Sequence, residues 1–152
     1  TVSMIVRDVM TTGVLYARPG EEVRSVVTRM LSRHCGAIPV VDDNHSLLGM
    51  VAVRDVLLPL YPNLGDYVHD SVQSRNFLDM EEGYVAVLGK KVEAVMSRKP
   101  RTVSPEDPVL KAASLMGVHN FRRMPVVEDN QLVGMVSIGD INRGLFFQLS
   151  SE

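Results

Sequence analysis

Two stretches of this chain nearly repeat each other. Residues 49–55 read GMVAVRD and residues 134–140 read GMVSIGD, with the glycine, Met, Val and closing Asp in common. The likeness extends upstream. At an offset of 86 positions, Val6 falls on Val92, Val9-Met10 on Val95-Met96, Pro19 on Pro105, Val23 on Val109 and Met30 on Met116. Pro39-Val40-Val41 falls on Pro125-Val126-Val127. One extra residue near His45 then reduces the offset to 85, and Gly49 and Asp55 meet Gly134 and Asp140. Chance apolar periodicity would match Val with Ile, but it would not also match Pro, Gly and Asp in one order. A repeat of about fifty residues restricts the chain to two copies of one supersecondary unit.

Each copy carries the same local pattern. A short extended run (GVLYA, then PRTVS) is followed by a proline and acidic residues, a helix-start signal. Val23, Val26, Val27, Met30 and Leu31 then fall at helical spacing, as do Val109, Ala112, Ala113 and Met116, so each copy has an amphipathic helix with one buried stripe. AIPVV and RMPVV read as β-branched strands. Asp42-Asp43-Asn44 and Glu128-Asp129-Asn130 supply turn chemistry, and LLGMVAV and LVGMVSI return as second strands. The closing Asp is expected to start a second helix, DVLLPL or DINRGLFFQL. The unit is β-α-β-β-α, an α+β (α/β) fold made twice: a first repeat over 1–58, a partly helical connecting segment over 59–91 and a second repeat over 92–150. Pro59 and Pro62 are expected to stop the helix before the connecting segment.

Composition limits the function classes. Of 152 residues, 45% are apolar, there is no Trp, and net charge is -2 with both signs interleaved. A core of Val, Leu, Met, Ile and Ala is expected, and no nucleic-acid partner, since such a surface shows a basic excess. No apolar run approaches the roughly 18–20 residues of a membrane helix, so no transmembrane segment is expected in this chain. No charged-then-apolar leader opens it. It starts with Thr rather than Met, compatible with a piece excised from a longer protein. Cys35 is the single cysteine, which excludes an internal disulfide and fits a reducing, cytoplasmic location.

Together the registered repeat, the hairpin and the G-M-V-S-x-x-D ending resemble a tandem pair of CBS domains, the family named for cystathionine β-synthase. The resemblance covers nearly the whole chain outside the middle segment. It implies two repeats packed pseudo-symmetrically into one regulatory module rather than an enzyme. Such a module binds an adenosine compound (AMP, ADP, ATP or S-adenosylmethionine) in the cleft between repeats. The implied partners are a second copy, in a homodimer, and an enzyme or transporter whose behaviour the ligand changes. No catalytic cofactor is implied.

The closing motif suits such a ligand. A carboxylate at a helix start can accept hydrogen bonds from two neighbouring ribose hydroxyls, and a serine three residues earlier offers a hydroxyl to a phosphate. Asp140 and Ser137 match the family's pattern, while Asp55 has Ala52 at the serine position. One competent site is expected around Asp140 and a weaker one around Asp55. Helix capping alone would also account for both aspartates. Ser137 is expected to separate these explanations, because a helix starting at the aspartate would not need it. Arg122 and Arg123 precede the middle strand of the second copy and could meet phosphate; strand alternation directs only one of them inward. By the same resemblance, Met10, Gly13, Leu15, Cys35, Gly36 and Ala37 would form the adenine slot of the Asp140 site. The weaker site would use Asp55, Met96, Thr102 and Phe121, with Phe121 able to fill the slot itself.

Other chemistries fit less well. GYVAVLGKK has five residues between its glycines and Lys91 where a phosphate loop places Ser or Thr. His34 and Cys35 are adjacent and would point to opposite faces of a strand. The Asp-rich turns lack calcium-loop spacing, and the four histidines lack zinc spacing, so no metal site is expected. The alternatives to an adenosine sensor are a dimerisation module without a small ligand and a Mg- or Mg-ATP-responsive domain of a membrane transporter.

Overall fold

A computed structural model describes residues 4–57 and 77–150. In chain order the elements are α1 (Val6–Val9), α2 (Val23–Ser32), β1 (Ala37–Val41), β2 (Leu47–Ala52) and α3 (Val53–Leu57). Then follow α4 (Phe77–Leu88), a 3-10 turn (Val92–Ala94), β3 (Ser97–Arg98), α5 (Val109–His119), β4 (Arg123–Glu128), β5 (Gln131–Ser137) and α6 (Ile138–Leu149). Each repeat is thus a helix, a hairpin and a second helix, an α+β unit made twice. The expected stops at Pro59 and Pro62 lie outside the described residues, while α4 makes the later part of the connecting segment helical.

Helical spacing selects the buried faces. Val23, Val26 and Met30 of α2 and Val109, Ala112 and Met116 of α5 are buried. The predicted stripe ends one residue early in the first copy, where Leu31 is 69% exposed. Both helices close through the same left-handed turn. His34 (φ 52°) and Asn120 (φ 57°) stand just past the ends. The next residue then donates back, from Cys35 N–H to Met30 O at 2.9 Å and from Phe121 N–H to Met116 O at 3.1 Å.

The hairpins differ at their turns. β4 and β5 run antiparallel, with Arg123 opposite Ser137, Met124 opposite Val136 and an irregularity between Val126 and Val127. Their turn is the pair Asp129 and Asn130, both at positive φ (52° and 65°), the hairpin geometry that Asx residues tolerate. In the first copy the Asp42 carboxylate instead accepts the N–H groups of Asn44 and Ser46, each at 2.9 Å. That wider turn holds the extra residue.

The repeated glycines admit a third chain segment. A Cβ on Gly49 would stand 2.5 Å from Ser97 O, and one on Gly134 would stand 2.7 Å from Thr11 O. At these points β3 joins β2, with Met50 opposite Ser97, and Thr11 bridges Met135. The predicted runs GVLYA and PRTVS contribute less strand than expected: single parallel bridges from Ala17 to Val40 and from Val103 to Val126.

The chain forms two compact units that do not follow the repeats in order. One contains most of the second repeat, from Lys99 onward, with the chain up to Leu15 and the turn Val41–Leu47; the other contains Tyr16–Val40 and the chain from Leu48 to Arg98. In the first of these, Val6 of α1 shares a buried cluster with Met116, Met124, Val126, Val136 and Ile141. Arg7 ties α1 down further, donating through Nε and Nη2 to Glu106 at 3.0 and 2.6 Å and reaching Glu128 at 3.4 Å. The Glu106 hydrogen bond raises the Arg7 pKa above its ordinary value, so this guanidinium is charged at any working pH. In the other unit Arg29 donates to Tyr16 O at 2.7 Å and pairs with Glu21. Among the described residues no helix is long and apolar enough to cross a membrane.

Candidate functional site

The second repeat's closing motif folds into a reciprocal pair of hydrogen bonds. The Ser137 N–H donates to Asp140 Oδ2 at 3.0 Å, and the Asp140 N–H donates to Ser137 Oγ at 3.0 Å. This is a capping box, with serine at the N-cap and the acid three residues on. The expectation that α6 starts at Asp140 is therefore corrected, since the helix begins at Ile138. A serine at this point needs no phosphate to explain it. The acid sits in the first turn rather than at the cap, a place where a carboxylate also favours the helix start.

The first repeat retains half of the box. The Ala52 N–H donates to Asp55 Oδ2 at 2.7 Å, but an alanine side chain returns nothing to the Asp55 N–H. The same one-sided bond occurs at other turns: Ile5 N–H to Asp8 at 3.0 Å, Arg18 N–H to Glu21 at 2.8 Å and Ser104 N–H to Asp107 at 2.9 Å. The acid is a common device in this chain, and the serine is what distinguishes the second copy.

The box retains capacity for a ligand. A serine hydroxyl that accepts one bond still has a proton to donate. Asp140 Oδ2 serves the cap, Oδ1 lies 3.4 Å from Arg143 Nη2, and each carboxylate oxygen can accept more than one bond. The Asp140 side chain is 18% exposed, and Arg143 is the cation that holds it.

Two arginines frame the box. Arg123 is directly opposite Ser137 in the ladder, and such residues project from the same face of a sheet. Arg122 O accepts the Ile138 N–H at 2.9 Å, so its backbone abuts the first residue of α6. Both side chains are exposed, and neither has an ion pair among the described residues. Arg123 therefore shares the Ser137 face of the ladder.

The remaining predicted residues divide between the units. Met10, Gly13 and Leu15 belong with the second repeat. Met10 packs on Gly134, and the antiparallel sense of the Thr11–Met135 bridge runs Gly13 and Leu15 away from Ser137. Cys35, Gly36 and Ala37 belong to the other unit, where Gly36 O accepts the Val53 N–H at 3.0 Å beside the Asp55 half-box. Met96 is buried against Gly49. Thr102 lines an open cavity of about 360 Å³ with Ser46, Lys99 and Asn130. Phe121 stacks on His119 at 5.7 Å and 9° and packs against the core, so apolar contacts already occupy much of its ring. The short pieces α1, β3 and the 3-10 turn were not legible from periodicity.

Comparisons with known proteins agree with this architecture. The CBS domain family profile matches residues 6–60 and 92–146. A CBS domain-containing protein of Bacillus subtilis, YhcV, is 32% identical over 136 residues, covering 90% of this chain and 81% of that protein. The CBS domain of a CBS domain-containing membrane protein from Sphaerobacter thermophilus superposes with a TM-score of 0.69 at 30% identity, covering 93% of this chain and 87% of that one. CBSX2 of Arabidopsis thaliana, solved in complex with AMP, superposes with a TM-score of 0.72 at 27% identity, covering 96% and 98%. With both repeats matched by the family profile and a hairpin followed by a helix present in each, this chain belongs to the CBS domain family as a tandem pair of repeats.

Proposed function

We propose that the chain is a regulatory module that binds an adenosine nucleotide, with AMP the first candidate and ADP, ATP and S-adenosylmethionine the others, and changes the behaviour of an attached or partner enzyme or transporter. The observation that carries this reading is the AMP complex of CBSX2, matched along 96% of this chain. The Ser137–Asp140 box supports it with a carboxylate for a ribose diol and a hydroxyl proton for a phosphate, and Arg123 supplies positive charge on the same face. Asp55, beside Ala52, is the weaker position. Regulation follows by linkage: a ligand moves the partner only as far as its affinities for two states of the module differ. Thermal unfolding against AMP, ADP, ATP and S-adenosylmethionine tests this. One compound raising the midpoint supports the sensor and names its signal, and no shift with any of them refutes it.

A second reading, a homodimer in which the repeats serve assembly, is favoured by the end of α6. Phe146, Phe147 and Leu149 are 61%, 66% and 59% exposed there, more apolar surface than a helix end keeps in water without a purpose. Light scattering of the wild type and of Phe146→Glu/Phe147→Glu tests it, with a dimer converted to monomer as the supporting result. In either case a cytoplasmic site of action is proposed, on the free Cys35.

A further inference from the structure

We propose that residues 4–11 form a detachable strap whose docking on the second repeat is linked to ligand binding at the Ser137–Asp140 box. This rests on the adenosine reading above. The strap lies more than ninety positions before the elements that it completes, yet it is built into their unit. Its main chain exchanges hydrogen bonds with the approach to α5: Val6 N–H to Asp107 O at 2.8 Å, Arg7 N–H to Pro105 O at 2.9 Å, and Val109 N–H to Met4 O at 3.0 Å. Thr11 and Met135 exchange both of their bonds, at 2.8 and 3.0 Å.

Two notches receive it. A Cβ on Gly144 of α6 would meet Val9 Cγ1 at 2.5 Å and Met4 Sδ at 3.0 Å, and Gly134 of β5 accommodates Thr11 and Met10. The strap therefore seats on α6 and on β5, the two elements that meet at the box. Thr11 bridges a residue two before Ser137, and Val9 packs four residues after Asp140. At its other end Gly13 has φ +63°, a backbone conformation that glycine adopts at no steric cost. Val6 is the one strap side chain that is fully buried, with Met4, Val9 and Met10 partly buried against the same cluster. The Arg7 pairs with Glu106 and Glu128 are exposed, so opening the strap would uncover one side of the cluster and leave the β4–β5 hairpin and α5 packed. A ligand that needs β5 and α6 in register binds the docked form.

Amide hydrogen exchange on the full chain, with and without AMP, tests this. In the free chain, the amides of Val6, Arg7 and Thr11 should exchange at least tenfold faster than the interior amides of β4. AMP at about 100 times its dissociation constant should slow strap exchange about 100-fold. Arg7→Glu, which touches neither Ser137 nor Asp140, should speed strap exchange and weaken AMP binding together. Strap amides that exchange only in step with β4 would overturn the detachable strap. A strap that opens alone but is unaffected by bound AMP would overturn the linkage and leave the nucleotide reading intact. AMP failing to bind the wild type at millimolar concentration would refute the nucleotide reading and the linkage with it.

Discussion

Ser137 and Asp140 hold each other at the start of α6, each donating its backbone N–H to the other's side chain at 3.0 Å. In the first repeat only the aspartate's half survives, at 2.7 Å from the Ala52 N–H. One change of residue type between the copies therefore alters both helix stability and the supply of a hydroxyl.

The box makes a direct prediction about stability. Ser137→Ala leaves the Asp140 N–H without its acceptor and should cost about 0.5–2 kcal/mol. Ala52→Ser completes the box in the first repeat and should stabilise the chain, by an amount at the low end of that range. Urea unfolding of both variants measures this; equal effects of the same sign would mean that capping is not what separates the copies.

The glycines at the two sheet edges should be intolerant of side chains. Gly134→Ala sets a Cβ 2.7 Å from Thr11 O, and Gly49→Ala one at 2.5 Å from Ser97 O. Each obstacle is backbone, so each change should cost about 1–3 kcal/mol. Gly36→Ala, where a Cβ meets nothing within 4 Å, is the control and should lie within about 0.5 kcal/mol of wild type.

The arginines should not be equivalent. Arg123, on the Ser137 face, should contribute a charge-assisted bond to a nucleotide phosphate, and Arg123→Ala should lose about 1.5–3 kcal/mol of AMP affinity. Arg122→Ala should lose less. Titration calorimetry of the two variants decides it, and a larger loss at Arg122 would move the phosphate to the opposite face of β4.

Much of this was legible in the sequence, for a physical reason. Pro, Gly and Asp mark the chain at fixed offsets, and the apolar positions between them repeat every three or four residues along a helix and alternate along a strand. Helices over Val23–Ser32 and Val109–His119 and both hairpins follow from that pattern. What it hides is long-range structure and very short elements. Four residues of α1 and two of β3 are too brief to show a period, and their places are set by contacts such as Thr11 with Met135 that no local pattern encodes. Ser137 is legible in the sequence as a hydroxyl but not as a cap, because both roles call for the same short side chain beside an acid.

An adenosine nucleotide bound at the Ser137–Asp140 box, as proposed, would depend on the Asp140 carboxylate. Asp140→Ala would also remove the acceptor of the Ser137 N–H, so the sharper variant is Asp140→Asn, which retains a carbonyl oxygen for the cap and discards the charge. The most direct measurement is thermal unfolding of the wild type, Asp140→Asn and Asp55→Asn with AMP at about 100 times its dissociation constant for the wild type. About 2.7 kcal/mol of stabilisation is expected in the wild type and in Asp55→Asn, most of it lost in Asp140→Asn. Full stabilisation of Asp140→Asn, or none of the wild type, would contradict it.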